Sequence, residues 1–537
     1  MNRRTFLKRS AAGGAAVTPP ASSAAPPPGT PAAQVPVASF ELDEVSLPEL
    51  QAGMESGRWS AVSLTRLYLE RIDAIDRNGP GLRSVIETNP DALAIAARLD
   101  EERRSGKERG PLHGVPILIK DNLDTGDRMQ TTAGSLALVG APTAHDAFVV
   151  ERLRAAGAVL LGKTNLSEWA NFRGHRSTSG WSSRGGQTRN PYVLDRNPSG
   201  SSSGSAAAVA ASLGAAAVGT ETDGSILSPS AYCGLVGLKP TLGLLSRSGI
   251  IPIARSQDTA GPMARTVTDA AILLGAMTGV DPRDEATADS AGRAAADYCS
   301  HLRPDGLKGA RLGVARQFFE FPEAVATVLN AALDAIKAAG AELIDPVEAP
   351  GFSGFGGHES VVLHYEFKAG LNKYLVARAG SPIPSLEAAI AFNTAHRDTV
   401  MPWFGQEHFL ASQACGPLTD PQYLEAREAG RRLARTGGID AAMDRHHLDA
   451  IVVPSGGPAH ATDWLHGDHG LPTGYSVAAV AGYPSLTVPA GHVHGLPVGI
   501  AFLGRAWSEA TLLRLAYAFE QATQHREAPR FLASLKA

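Results

Sequence analysis

Gly114-Val115-Pro116-Ile117-Leu118-Ile119-Lys120 is an apolar run that ends on a lysine. A short run of this kind reads as a buried strand, and a lysine at its end is placed for removal from water. Similar runs recur at 159–161, 312–314, 451–453, 485–488 and 498–503, with helical patterns between several of them, such as 148–156 and 324–339. Strands alternating with helices imply an α/β layer architecture built on a central sheet. Upstream, Ser63 reads as the cap of an amphipathic helix that places Leu64, Leu67, Tyr68, Ile72 and Ile75 on one face and stops at Asn78-Gly79-Pro80. No repeat with a period of about 20 to 50 residues is present, and no low-complexity break follows Phe40. From about 279 to 436 the pattern is helices joined by loops rich in Gly and Pro, to which no chemistry attaches.

The chain has 537 residues, 44% hydrophobic and 19% charged, enough to build a large core without staples. Lys and Arg number 49 against 53 Asp and Glu, a formal net charge of −4, with no long run of either sign. Such a balance argues against a nucleic-acid or anionic-membrane surface and for a small-molecule or peptide substrate.

The N-terminus departs from this pattern. Asn2-Arg3-Arg4-Thr5-Phe6-Leu7-Lys8, followed by an Ala- and Gly-rich stretch, resembles a bacterial twin-arginine export signal. Expected boundaries are a signal over 1–25, cleaved after Ala25 with Ser23 two residues earlier, a Pro/Ala-rich linker over 26–40 around Pro26-Pro27-Pro28, and one folded domain over 41–537. The apolar part of the signal is too short and too interrupted by Gly to span a bilayer. The precursor's partner is then the twin-arginine machinery, and the mature protein is periplasmic or secreted with no membrane partner. Because that route exports folded proteins, Cys233, Cys299 and Cys415 are expected to be free thiols.

Two local motifs point elsewhere. Gly157-Ala158-Val159-Leu160-Leu161-Gly162-Lys163-Thr164 matches the phosphate-loop pattern, but its middle is itself the buried strand and cannot curl around a phosphate. Gly200-Ser201-Ser202-Ser203-Gly204 matches a nucleophile elbow with Ser202 at its tip, yet a loop precedes it where a strand is required, and no positioned His and acid accompany it.

A third pattern is distributed. Gly114 to Asn122, Gly200-Ser201-Ser202-Ser203-Gly204-Ser205, and Gly219-Thr220-Glu221-Thr222-Asp223-Gly224-Ser225-Ile226 together resemble the amidase signature family. Gly237-Leu238-Lys239-Pro240-Thr241, Gly261-Pro262-Met263, Gly482-Tyr483-Pro484-Ser485-Leu486 and Gly495-Leu496-Pro497-Val498-Gly499-Ile500 extend the likeness across roughly 42–525. The resemblance implies a single large α/β domain whose mostly parallel or mixed sheet is covered by helices on both faces. It also implies a serine hydrolase of carboxamide bonds in which Lys120 is the base, Ser201 the bridge, joined to Gly200 by a cis peptide bond, and Ser225, 24 residues after Ser201, the nucleophile. Backbone N–H groups of Thr222, Asp223, Gly224 and Ser225 would form the oxyanion hole.

The chemistry is consistent with those roles. A serine hydroxyl needs an adjacent base, and a neutral lysine acting through a second hydroxyl can supply one. Free lysine has a pKa of about 10.4, so burial must depress Lys120 for it to work near neutral pH. No cofactor and no metal is required.

The sequence departs from the commonest family form, which has Gly at the position of Asp223, Asp at that of Glu221 and Arg at that of Leu227. A subgroup, the bacterial peptide amidases, resembles it more closely. The likeness lies in 219–225, in Asn165-Leu166-Ser167-Glu168-Trp169-Ala170-Asn171-Phe172-Arg173-Gly174, in Ser179-Gly180-Trp181-Ser182 and in 185–191, with 363–370 and 404–407 adding to it. That subgroup's activity is removal of the terminal amide of peptide amides, giving free acid and ammonia. Amidases of other acyl or aryl amides, the glutaminase component of a tRNA-amidating complex, and a non-catalytic exported binding protein are the alternatives. His460, Asp463, His466, Asp468 and His469 crowd one Gly-rich segment that reads as a polar loop at the pocket rim in preference to a metal site. His113 reads as a structural hydrogen-bonding residue.

Overall fold

The apolar run ending on Lys120 is a strand in which every residue is buried. In the computed structural model, which describes residues 34–140, 142–471 and 473–535, the strands are β1 (Val85–Thr88), β2 (Pro116–Lys120), β3 (Val159–Thr164), β4 (Trp181–Ser182), β5 (Gly186–Gln187), β6 (Ala216–Glu221), β7 (Val236–Lys239), β8 (Thr259–Ala264), β9 (Arg311–Val314), β10 (Glu342–Ile344), β11 (Ala450–Gly456), β12 (Ser485–Val493) and β13 (Leu496–Leu503). Eleven of them form one sheet in the order β1-β3-β2-β6-β8-β7-β12-β13-β11-β9-β10, and β4 pairs with β5 separately. Helices flank the sheet, and the whole is a single α/β domain.

The sheet is mixed. Pairing is parallel at β2–β3, β2–β6, β9–β10 and β9–β11 and antiparallel at the other junctions. The parallel β2–β6 register, with Ile119 beside Val218, carries Lys120 and the end of β6 to the same edge of the sheet. Continuous burial of β2, β3 and β11 fits strands covered on both faces.

All six strands expected from apolar runs are present. β1, β6, β7, β8 and β10 were not legible, for physical reasons visible in β6 (AAVGTE) and β8 (TAGPMA): both are made of small residues, and β8 carries Pro262. A Cβ on Gly219 would lie 2.7 Å from Met263 Sδ and 2.9 Å from Ser202 Oγ, so close approach takes precedence over strand propensity here. The same holds for the helix Ser203–Ala210, SGSAAAVA, whose eight residues are all buried and show no polar face. A Cβ on Gly204 would meet Ser84 O at 2.3 Å and Asn165 O at 2.4 Å.

The helix expected after Ser63 runs Ala61–Arg71, with its π-helical continuation at Ile72–Arg77, and is capped by Ser60 instead. Ser63 sits one turn in and reciprocates: its N–H donates to Ser60 Oγ at 3.1 Å and its hydroxyl accepts from Ser60 N–H at 2.8 Å. The opaque stretch 279–436 supplies the helices Glu323–Ala338, Gly356–Ala377, Leu386–Ala395, Glu407–Ala414 and Pro421–Ala434. Several pack Phe367, Leu371, Leu386 and Phe409 with Leu166, Trp169 and Phe172 in a second apolar cluster.

The expected signal, 1–25, lies outside the described residues, as does the linker up to 33. The linker's last residues run along the C-terminal segment, where Val35 N–H donates to Phe531 O at 3.1 Å. The three cysteines are free.

Candidate active site

Lys120 is fully buried at the end of β2. Its Nζ lies 2.8 Å from Ser201 Oγ, 2.9 Å from Thr220 Oγ1, 3.0 Å from Ser202 Oγ and 3.1 Å from Thr220 O. Ser202 spends its hydrogen on Thr220 O at 3.0 Å and accepts from Thr220 N–H at 3.2 Å. Toward Lys120 it can therefore only accept. The amine's two hydrogens can go to Ser202 Oγ and Thr220 O, which leaves its lone pair for the Ser201 hydroxyl. Burial pulls Lys120 down from its ordinary value to about 7, while Glu221 and Asp258 pull in the other direction.

Ser201 is also fully buried and follows Gly200 through a cis peptide bond, as the family resemblance implied. A Cβ at Gly200 would meet the hydroxyls of Ser167 at 2.3 Å, Ser179 at 2.9 Å and Ser203 at 3.0 Å. Only glycine leaves those hydroxyls where they are.

Ser225 stands 7% exposed in the turn between β6 and the helix Leu227–Tyr232. Ser202 and Glu221 seat this turn. Ser202 N–H donates to Ser225 O at 3.1 Å, and Glu221 Oε2 accepts from Ile226 N–H at 2.7 Å and Leu227 N–H at 3.0 Å. Glu221 thus stands where the family's usual Asp would and caps the short helix with its longer side chain. Thr222 is fixed by Asp258, whose Oδ1 accepts from its hydroxyl at 2.6 Å while Oδ2 takes the N–H groups of Ile253 and Ala254 at 2.9 Å. Gly224 has φ 76°, and a Cβ there would lie 2.4 Å from Tyr475 Cε2. Positive φ and close packing together require glycine.

The 165–182 segment borders this site. Trp169, Ala170 and Asn171 all have positive φ, 52°, 54° and 70°, a conformation that costs a non-glycine residue about 1–2 kcal/mol. Tertiary contacts hold it: Trp169 N–H donates to Ala133 O at 2.9 Å, its ring packs edge-on against Phe409, and Asn171 Nδ2 donates to Ser179 Oγ at 3.0 Å. Arg173, fully buried, pairs with fully buried Glu168 at 2.8 Å, donates to Val400 O and lies over the Phe404 ring.

The His-rich loop closes on the same segment. Asp468 accepts from Ser179 N–H at 2.9 Å and Ser179 Oγ at 2.5 Å, and Ser179 is one of the three serines whose hydroxyls crowd Gly200. Asp463 takes His466 Nδ1 at 2.9 Å and His469 Nε2 at 3.1 Å. Both carboxylates are engaged in holding loops. His113 Nε2 contacts Leu99 O at 2.9 Å, a structural role.

Neither competing motif has the geometry its chemistry needs. Residues 159–164 are β3, and Lys163 Nζ donates to Leu123 O at 2.6 Å and Thr131 Oγ1 at 2.9 Å. Ser202 is fully buried and committed to Thr220. Lys120 and Ser201 lie in contact, and the 222–225 turn is joined to them through Ser202. Asp468 lies in the loop expected at the pocket rim, whereas the support given by Asp258, Gln257 and Glu359 was not expected from the sequence. No local pattern marks those side chains.

A family model described as Amidase matches residues 63–513. A probable amidase of Arabidopsis thaliana is 42% identical, with 94% of each chain covered. A glutamyl-tRNA(Gln) amidotransferase chain of Methylococcus capsulatus is 36% identical, over 91% of this chain and 99% of its own. Among solved structures, a peptide amidase in complex with the competitive inhibitor chymostatin superposes with a TM-score of 0.88 at 53% identity, covering 91% of this chain and 100% of the other. The native peptide amidase of Stenotrophomonas maltophilia gives 0.87 at 52%, covering 92% and 100%. With the match running through nearly the whole described domain, this chain belongs to the amidase signature family and is a hydrolase of amide C–N bonds.

Proposed function

We propose that this amidase deamidates the C-terminal amide of peptide amides with Lys120, Ser201 and Ser225 as its catalytic residues. The observation that carries the mechanism is the buried Lys120 amine 2.8 Å from the Ser201 hydroxyl. The 53% identity to a peptide amidase supports the substrate class.

Ser225 Oγ adds to the carboxamide carbon, and its proton passes through the Ser201 hydroxyl to neutral Lys120. The negative oxygen is held by the N–H groups of Thr222, Asp223, Gly224 and Ser225. Collapse breaks the C–N bond, and the relay returns the proton to the departing nitrogen, releasing ammonia. Water then attacks the acyl-serine, gives its proton to the same relay, and the Ser225 oxygen leaves and recovers it as the free acid departs.

Ammonia release across peptide amides, simple acyl and aryl amides and free glutamine tests the substrate class. Peptide amides should give the highest kcat/KM, and a preference for glutamine or for aryl amides would replace this reading.

The Arg3-Arg4 pair and the free cysteines support export of the folded precursor by the twin-arginine machinery to a periplasmic or secreted location.

A further inference from the structure

Asp223 places a carboxyl group in the very loop proposed to carry the oxyanion hole. On one side of it, Tyr475 packs against Gly224. On the other, the Gln257 carboxamide, 3% exposed, donates from Nε2 to Glu359 Oε1 at 2.8 Å and to Thr222 O at 3.3 Å. Glu359 lies in the first turn of the helix Gly356–Ala377 and hydrogen-bonds to Asp223, which also meets the Ser476 hydroxyl. Asp223 Oδ1 is buried without a further partner. Among the described residues, no Lys, Arg or His nitrogen lies within ion-pair distance of either carboxyl.

Two carboxyl groups in contact without a cation cannot both be ionised, so one proton lies between them. We propose that Glu359, sharing that proton with Asp223 and bridged by Gln257 to Thr222, is a positioning residue that pins the oxyanion loop to the Gly356–Ala377 helix. This rests on the reading of 222–225 as the oxyanion loop. It gives a reason for Asp at a position where the commoner family form has Gly: the side chain serves as a tether behind the loop while the backbone N–H remains free for the oxyanion.

The tether has a pH limit. Burial holds both groups above the ordinary carboxyl range; the charge of Glu359 raises Asp223 further, while hydrogen bonds from Gln257 and Asp223 pull Glu359 part of the way back. Around Asp223, Glu221 and Tyr475 oppose a further negative charge and Lys239 favours it. Glu359 faces a cavity of about 720 Å³ that also carries Arg255, Arg427, Arg431, Lys373 and Glu366. Loss of the shared proton creates two adjoining carboxylates, which push the loop from the helix, so kcat falls at alkaline pH.

The test is the pH profile of kcat and KM for ammonia release from a dipeptide amide, with thermal melting of each variant. Wild type should lose kcat on the alkaline side. Glu359→Gln can donate to an ionised Asp223, so it should keep activity and lose the alkaline fall. Glu359→Ala should lower kcat about 10- to 100-fold, with a smaller change in KM, because the loop is no longer held. If Glu359→Gln fails to melt cooperatively, Gln257→Leu, which breaks the bridge from Glu359 to Thr222, should lower kcat about 10-fold with a smaller change in KM. An alkaline fall unchanged in Glu359→Gln, or Glu359→Ala or Gln257→Leu at wild-type kcat, overturns the tether alone. A wild-type protein that labels at Ser225 and hydrolyses the amide keeps the parent reading intact in that event, whereas no labelling at Ser225 removes both.

Discussion

The Lys120 amine meets the Ser201 hydroxyl at 2.8 Å and, among the described residues, lies within ion-pair distance of no carboxylate. Burial without a counter-ion favours the neutral amine. With the group held at about 7, activity should fall as the pH drops below that value and Lys120 takes up a proton. Lys120→Ala should cost about 10²- to 10⁴-fold in kcat/KM. Lys120→Arg should not restore it, because the guanidinium stays charged. Near-wild-type turnover in Lys120→Ala, with the acidic fall unchanged, would assign the base elsewhere.

Ser225 and Ser202 make opposite demands. Ser225→Ala should abolish labelling by a fluorophosphonate. Ser202→Ala should retain much of it and lose stability, since Thr220 N–H gives up its 3.2 Å acceptor inside the core. A buried unsatisfied donor costs about 1–3 kcal/mol, readable by urea denaturation. Labelling that survives the first change and vanishes with the second would restore the nucleophile-elbow reading.

The Glu168–Arg173 pair joins the 165–182 segment to residues 400–404 with both side chains fully buried. Arg173→Met should destabilise the fold by about 3–5 kcal/mol, because it leaves a carboxylate buried alone. Adding Glu168→Gln should recover part of that loss. Equal stability of the single and double variants would mean that Glu168 is uncharged in the folded protein.

Export is tested by fractionation. Changing Arg3 and Arg4 together to Lys should leave active enzyme in the cytoplasm, and undiminished periplasmic or extracellular activity would show that the pair is not the signal.

By itself the sequence determined the strands whose burial leaves an apolar run, such as 115–119 and 498–503, and the order of residues that carry the chemistry. Lys120 closes one such strand, while Ser201 and Ser225 sit in runs of small residues that only close packing explains, so chemistry and local pattern coincide there. β6 and β8 escaped because their small side chains answer to the helix and strands pressed against them and not to any local preference. The tertiary structure alone decided what supports the site. Gln257 and Glu359 are 102 residues apart, and Ser179 and Asp468 are 289 apart. A hydrogen bond across such a separation leaves no periodicity in either segment, because each partner is chosen by where the fold brings it and not by its neighbours in the chain.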